Sequence, residues 1–294
     1  MLDQLNGAME RRVKTDCLPS PKCCVALRKT RPELADTMPS MPTTTRAGLL
    51  TAFDTLLQPA CFQDYGPNGL QVEGCADITK IVSGVTASRA LIEAAIDAQA
   101  NAIFVHHGLF WRGQSGCVTG WMKQRLALLL QHDVNLFAYH LPLDAHAELG
   151  NNAQLGLKLG LKATARFGEQ DLGFIGARAD GGSFAHAAEL ASHLGHVLNR
   201  PVAHVELAPA AIKKIAWCTG GAQGYFEAAI ATGADAFITG EISEPQAHYA
   251  REMGVAYFAC GHHASERYGA PAVAGHVAAL LGLAHEFIDI DNPA

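Results

Sequence analysis

Between residue 46 and the last residues, short apolar runs alternate with longer stretches that have the spacing of amphipathic helices. The chain reads KIVSGVTAS (80–88), then the helical stretch RALIEAAIDAQA (89–100), then NAIFVHHG (101–108). It later reads KIAWCTGGA (214–222), the helical stretch YFEAAIATGA (225–234) and DAFITGE (235–241). Lys80 precedes His106 by 26 residues, and Lys214 precedes Gly240 by the same 26. Downstream, VNLFAYHLPLD (134–144) corresponds to VAYFACGHHASE (255–266), each after a further helical segment. Upstream, a helix over about 46–57 and LQVEG (70–74) precede the first unit, and a longer helix over about 183–198 and PVAHVEL (201–207) precede the second. Strands alternating with helices of this length predict α/β layers. The repeat predicts two similar α/β lobes facing each other, over 46–165 and 166–294.

Residues 1–45 lack this rhythm and carry prolines at 19, 21, 32, 39 and 42. They read as a disordered tail, or as a start called too early with Met38 or Met41 as the real one. Cys17, Cys23 and Cys24 cluster there, as metal ligands or as an incidental group. Of the 294 residues, 49% are hydrophobic and 17% charged, enough for a sizeable core. A net charge of −6 argues against a sequence-independent grip on nucleic acid. No run approaches the ~20 apolar residues of a membrane span. The eight cysteines include no CxxC pair, which fits a reducing cytoplasm.

The distinctive polar groups fall where strands of the repeat end, the place where open α/β sheets bind ligands. FVHHG supplies His106 and His107, and HLPLDAH supplies His140, Asp144 and His146. TGEISE supplies Glu241; GHHASE supplies His262, His263 and Glu266. A single histidine after a strand is usually structural, and an i,i+4 pair such as His262 and Glu266 often decorates a helix surface. Imidazoles and carboxylates at several strand ends of both halves point instead to a metal site. Side chains alternate along a strand, so adjacent histidines serve neighbouring ions more easily than one ion, and Gly108 lets the backbone turn away after them. Asp144 and Glu266 could bridge such ions, with a hydroxide as nucleophile. This donor set suits zinc, iron, manganese or cobalt. CTGGAQG (218–224) could offer amides to a phosphate or form a ligand-free turn. His186, His193 and His196 read as a solvated or subunit-contact face. Lys123 and Arg125 could meet an anionic substrate or simply lie on an exposed helix.

DYGPNGLQVEG, FVHHGLFW, YHLPLDAHAELGNNAQLG, FITGEISE and GHHASERYG, in this order, resemble the bacterial YbgI-like family, also called dinuclear metal-centre proteins or GTP cyclohydrolase 1 type 2 homologues. The similarity runs from about Arg46 to FIDIDNPA. It implies two α/β lobes around two divalent metal ions, with His106, His107, Asp144, His262 and Glu266 as ligands and His263 outside the ligand pattern. It further implies a hexameric ring and hydrolytic opening of GTP at its imidazole carbon. His140, Glu241 or His248 would shuttle protons for that attack. The expected function is therefore a cytoplasmic metal-dependent hydrolase of GTP or another nucleotide or heterocycle. The alternatives are a phosphoester hydrolase and a non-enzymatic metal-binding scaffold.

Overall fold

The structure, a computed structural model, describes residues 43–294 apart from Pro209. The tail expected over 1–45, with its cysteine cluster, lies outside the described residues except at its end. There Thr44 and Thr45 form β1 (Thr44–Thr45), which leads into α1 (Arg46–Leu57), β2 (Gly69–Val72) and β3 (Asp77–Ile78). β1 pairs antiparallel with β3. Thr45 caps α1 by accepting from the Gly48 amide, and Leu49, Phe53 and Leu57, spaced by four, give the helix one buried face.

The first large sheet follows from β4 (Lys80–Thr86), α2 (Arg89–Asp97), β5 (Ala102–His107), α3 (Gly120–Gln131) and β6 (Asn135–Ala138). β4, β5 and β6 are parallel neighbours, and β2 lies antiparallel against β6. Side chains of β5 alternate between layers, as strand geometry requires. Ile103 and Val105 join Leu91, Ile92 and Leu129 of α2 and α3. Phe104 joins Phe53 of α1 and Val273 and Val277 near the C-terminal end. Burial on both faces explains why these strands are almost wholly apolar.

The chain continues through α4 (Leu141–Ala145), α5 (Asn151–Lys158), β7 (Leu161–Phe167), β8 (Gly173–Arg178), α6 (Ala187–Leu198) and β9 (Ala203–His204). β10 (Ile215–Trp217), α7 (Phe226–Ala231), β11 (Ala236–Thr239), α8 (Glu244–Met253) and β12 (Ala256–Ala259) complete a second sheet of order β7-β8-β10-β11-β12-β9. Here β10, β11 and β12 are parallel, and β9 is antiparallel to β12. The arrangement β10-β11-β12-β9 thus has the topology of β4-β5-β6-β2, in agreement with the sequence repeat.

The closing elements are α9 (His262–Glu266), α10 (Gly269–Leu281) and β13 (Ala284–Phe287). β13 pairs parallel with β4, giving the first sheet the order β13-β4-β5-β6-β2. A division at residue 165/166 therefore differs from the observed sheets at two points. β7 already begins at Leu161, and α10 with β13 returns to the first sheet, where Val273 and Val277 complete its core. The chain consequently crosses between the sheets more than once, and α9 lies on such a crossing. Among the described residues no helix is long and apolar enough to cross a membrane.

Phe104 is fully buried, with its ring 4.5 Å from that of Phe53 and 5.7 Å from that of Tyr139. Phe104→Ala should lower the unfolding free energy by ~3–5 kcal/mol in urea denaturation, through lost burial and the cavity left behind. A loss below ~1 kcal/mol would mean that β5 is not anchored through this cluster.

Candidate metal centre

β5, the turn after β6 and helix α9 converge on one buried group of side chains. His106 is fully buried and Glu266 nearly so. Asp144, at 7% exposure, lies on α4, directly after β6. His106 Nε2 stands 3.4 Å from Glu266 Oε1 and 3.6 Å from Asp144 Oδ1. His107 Nε2 and His262 Nε2 stand 3.3 and 3.2 Å from Glu266 Oε2. Three overlapping sets of donor atoms result: His106–Asp144–Glu266, His107–His262–Glu266 and His106–His107–His140, each set lying within 4.8 Å. Glu266 belongs to the first two sets and Asp144 to the first alone.

The ring nitrogens facing outward are held by the surrounding structure. His106 Nδ1 donates to the Tyr139 carbonyl (3.2 Å), and His107 Nδ1 meets Thr86 Oγ1 (3.1 Å). Tyr139 follows β6 and Thr86 ends β4, so the adjacent histidines lean toward different neighbouring strands. His262 Nδ1 lies 2.6 Å from Glu241 Oε1, and His140 Nδ1 lies 2.7 Å from Asp64 Oδ1. Such outer partners fix the ring orientation of metal-ligating histidines and raise their basicity. Asp144 Oδ1 accepts from Asn151 Nδ2 (2.9 Å) and Thr219 Oγ1 (3.2 Å), and the Asp144 carbonyl accepts from Asn152 (3.2 Å).

The inner atoms fit a cation. His106 Nε2 and Glu266 Oε2 are buried without a hydrogen-bond partner, an arrangement that costs free energy unless something else satisfies them. Donors bound at ~2.1 Å in a tetrahedral shell lie about 3.4 Å apart, close to the 3.2–3.6 Å separations here. Electrostatics agree. Burial works against charge on Glu266, yet His106 and His107 hold its carboxyl well below the usual range. Burial also disfavours charge on His106, but Asp144 and Glu266 outweigh it and raise the imidazole to about 9. Burial is likewise offset at His262, where Glu266 and Glu241 raise it to about 9. Burial pushes His107 down to about 3, a neutral donor flanked by His106, His140 and His262. Asp144 is raised by its burial and by the Glu266 charge.

The remaining candidates are placed as follows. His140 lines a cleft of about 500 Å³ together with His107, Asp144, His262 and Glu266. Glu241 stands behind His262 and also accepts from Gln223 (3.2 Å). His248 does not reach the cleft, because it lies on the solvent side of α8, paired with Glu244 at 2.9 Å. His263 pairs with Asp289 (2.8 Å), and His146 accepts from the Glu148 and Leu149 amides. His186, which caps α6, and His196 are exposed, whereas His193 is half-buried and bonds the Leu159 carbonyl. Arg125 lies over the Trp121 ring on α3.

Gly108 accommodates a close approach rather than an unusual φ, since an added Cβ would lie 2.2 Å from Gln71 Oε1 and push that side chain aside. CTGGAQG forms a turn whose Thr219 and Gly220 amides are taken by Asn152 and Ser265. Its role is to let the backbone approach Glu266. A Cβ on Gly220, at φ +71, would lie 1.9 Å from Glu266 Oε1. Asp64, Asn151, Asn152, Thr86 and Ser265 were not identified from sequence. The DYGPNG and GNNAQ stretches carried the only signal, as polar residues beside a strand or at a helix start.

Gly220→Ala should therefore displace the Glu266 carboxylate and weaken Zn²⁺ binding at least tenfold in calorimetric titration. Unchanged affinity would show that this approach is not required. Burial opposes charge on Asp64, but its bonds to His140, Asn68 and the Leu141 amide hold it at about 2. A carboxyl lowered on folding adds stability above its unfolded pKa near 4, and this is lost as pH falls toward 2. Wild type should thus exceed Asp64→Asn in stability at pH 7, the gap narrowing below pH 4. A gap that is constant with pH would contradict this assignment.

Comparison with known proteins places these features among relatives. A family model described as Duf34/NIF3 (NGG1p interacting factor 3) matches residues 44–293. A protein named GTP cyclohydrolase 1 type 2 homolog from Neisseria meningitidis serogroup A is 49% identical over 252 residues, covering 85% of this chain and 99% of the relative. A protein of the same name from Yersinia pestis is 50% identical over 250 residues, covering 84% and 98%. The solved structure titled protein ybgI, of unknown function, superposes with a TM-score of 0.81 at 43% identity, covering 85% of this chain and all of that one.

Proposed function

The chain belongs to the Duf34/NIF3 family, and from that premise we propose that it is a dinuclear-metal-dependent hydrolase acting on GTP or a related nucleotide or heterocycle. The observation that carries this reading is the pair of buried donor atoms without hydrogen bonds, Glu266 Oε2 on a residue that lines the cleft and His106 Nε2 on the fully buried histidine beside it. His106, Asp144 and Glu266 would hold one divalent cation, zinc, iron, manganese or cobalt; His107, His262 and Glu266 would hold the second. When bound, the cations supply Lewis acidity and lower the pKa of water from 15.7 toward ~7.

The chain's own groups supply the rest. His140 is the proton carrier in this reading. With Nδ1 committed to Asp64, its Nε2 is the nitrogen left for the cleft. Glu241 is a positioning residue that orients His262. His248 has no part, being exposed and paired on α8. The relatives' shared name directs the choice of substrate. Two waters would break both bonds from the imidazole carbon of GTP to nitrogen and release formate. In this reading the protein works in the cytoplasm as a homo-oligomer, the hexameric ring expected from the family resemblance.

The metal-loaded chain should release formate from GTP, and His107→Ala and Glu266→Ala should abolish release. His140→Ala should keep its metal and lose about 10²–10⁴-fold in kcat. Inorganic phosphate in place of formate would convert the reading to a phosphoester hydrolase. Metal-loaded protein that leaves GTP, other nucleotides and phosphoesters unchanged would overturn it in favour of a scaffold.

A further inference from the structure

Building on the hydrolase reading, we infer that the rim of the cleft is a subsite for a flat aromatic ring bearing an anionic group, with Tyr65 as its stacking face and Arg112 as its anion receptor. Tyr65 is 58% exposed at the edge of the cleft. A tyrosine ring left wet forgoes the large apolar burial that usually fixes its place, so something else must hold it there.

The two loops that carry these residues are fastened together. The Arg112 amide donates to the Tyr65 carbonyl at 2.6 Å. The Arg112 guanidinium donates to the Asp64 carbonyl at 2.5 Å and lies 5.8 Å from the centre of the Tyr65 ring. Ring and guanidinium therefore form one preorganised unit, beside the cluster that would do the chemistry. Tyr65 meets His140 edge-on with centroids 6.0 Å apart, and Trp111 meets it at 5.0 Å and 90°. Tyr225, which also lines the cleft, is fixed by its hydroxyl to the Glu169 carbonyl at 3.1 Å.

The rim thus offers aromatic faces around a slot, and every nucleobase has a π-face that stacks on such rings. Only one guanidinium nitrogen of Arg112 is engaged, and no carboxylate pairs with it among the described residues. The free donors of a planar fork match the oxygens of phosphate or carboxylate. Exposed Arg112 stands at the entrance, above carboxylates that belong to the floor. The ligand class is a nucleoside phosphate or another anionic heterocycle, held by its ring and its charge separately.

The test is calorimetric titration of the metal-loaded full chain with GMP, guanosine and ribose 5-phosphate. GMP should bind. Tyr65→Ala should weaken GMP and guanosine alike, by about tenfold, and Tyr65→Phe should restore both. Arg112→Ala should weaken GMP and ribose 5-phosphate by about tenfold and guanosine, which loses only the support of the Tyr65 ring, by clearly less. Both side chains are exposed, so the variants should fold, which circular dichroism checks. No GMP binding, wild-type affinity in both alanine variants, or equal weakening of guanosine by Arg112→Ala would overturn the subsite. If GMP binds as expected while GTP is not hydrolysed, the subsite stands and the hydrolase reading alone fails. If GTP is hydrolysed and neither variant changes binding or KM, the subsite alone fails.

Discussion

The Glu266 carboxylate is the buried charge around which the rest of the structure is arranged. Its two oxygens lie 3.2–3.4 Å from imidazole nitrogens delivered by β5 and by α9. A carboxylate taken out of water loses several kcal/mol of solvation unless strong partners replace it. Here the partners are imidazoles, each held from behind by Tyr139, Thr86 or Glu241. The set is still incomplete, because His106 Nε2 and Glu266 Oε2 make no hydrogen bond despite this proximity. Divalent cations held by these atoms would complete it, releasing the protons that the cluster would otherwise carry.

The architecture explains how residues so distant in sequence meet. Strand ends of the first sheet bring His106, His107 and Asp144, while the crossing after β12 brings His262 and Glu266. The NN pair at the start of α5 ties these parts together. Asn151 reaches Asp144 and the Gly269 amide, and Asn152 reaches Asp144, Leu172 and the Thr219 amide. Because α10 and β13 return to the first sheet, α9 is anchored on both sides.

Much of this was legible in the sequence. The apolar rhythm located β4, β5, β10 and β11, and helix α1 spans the expected 46–57. Imidazoles and carboxylates at the ends of apolar strands marked the candidates, the family resemblance narrowed them to five, and the structure brings those five together. The edge chosen by β13 was not legible, since a period of two does not say which strand a neighbour pairs with. Asp64, Thr86 and Ser265 escaped because they act through single hydrogen bonds that exist only once distant segments approach. His248 misled, since a histidine near TGEISE in sequence lies on the outer side of the helix that follows. Gly108 was read as a residue whose unusual backbone angles let the strand stop, whereas its φ is ordinary and the space its missing Cβ leaves is taken by the Gln71 side chain.

The most direct measurement is the metal content of freshly purified full-length protein by inductively coupled plasma mass spectrometry, repeated for Glu266→Gln. The account predicts two divalent cations per wild-type chain and less than one in the variant. A wild-type chain that holds no metal and takes none up after incubation with Zn²⁺, Mn²⁺, Fe²⁺ or Co²⁺ would contradict it.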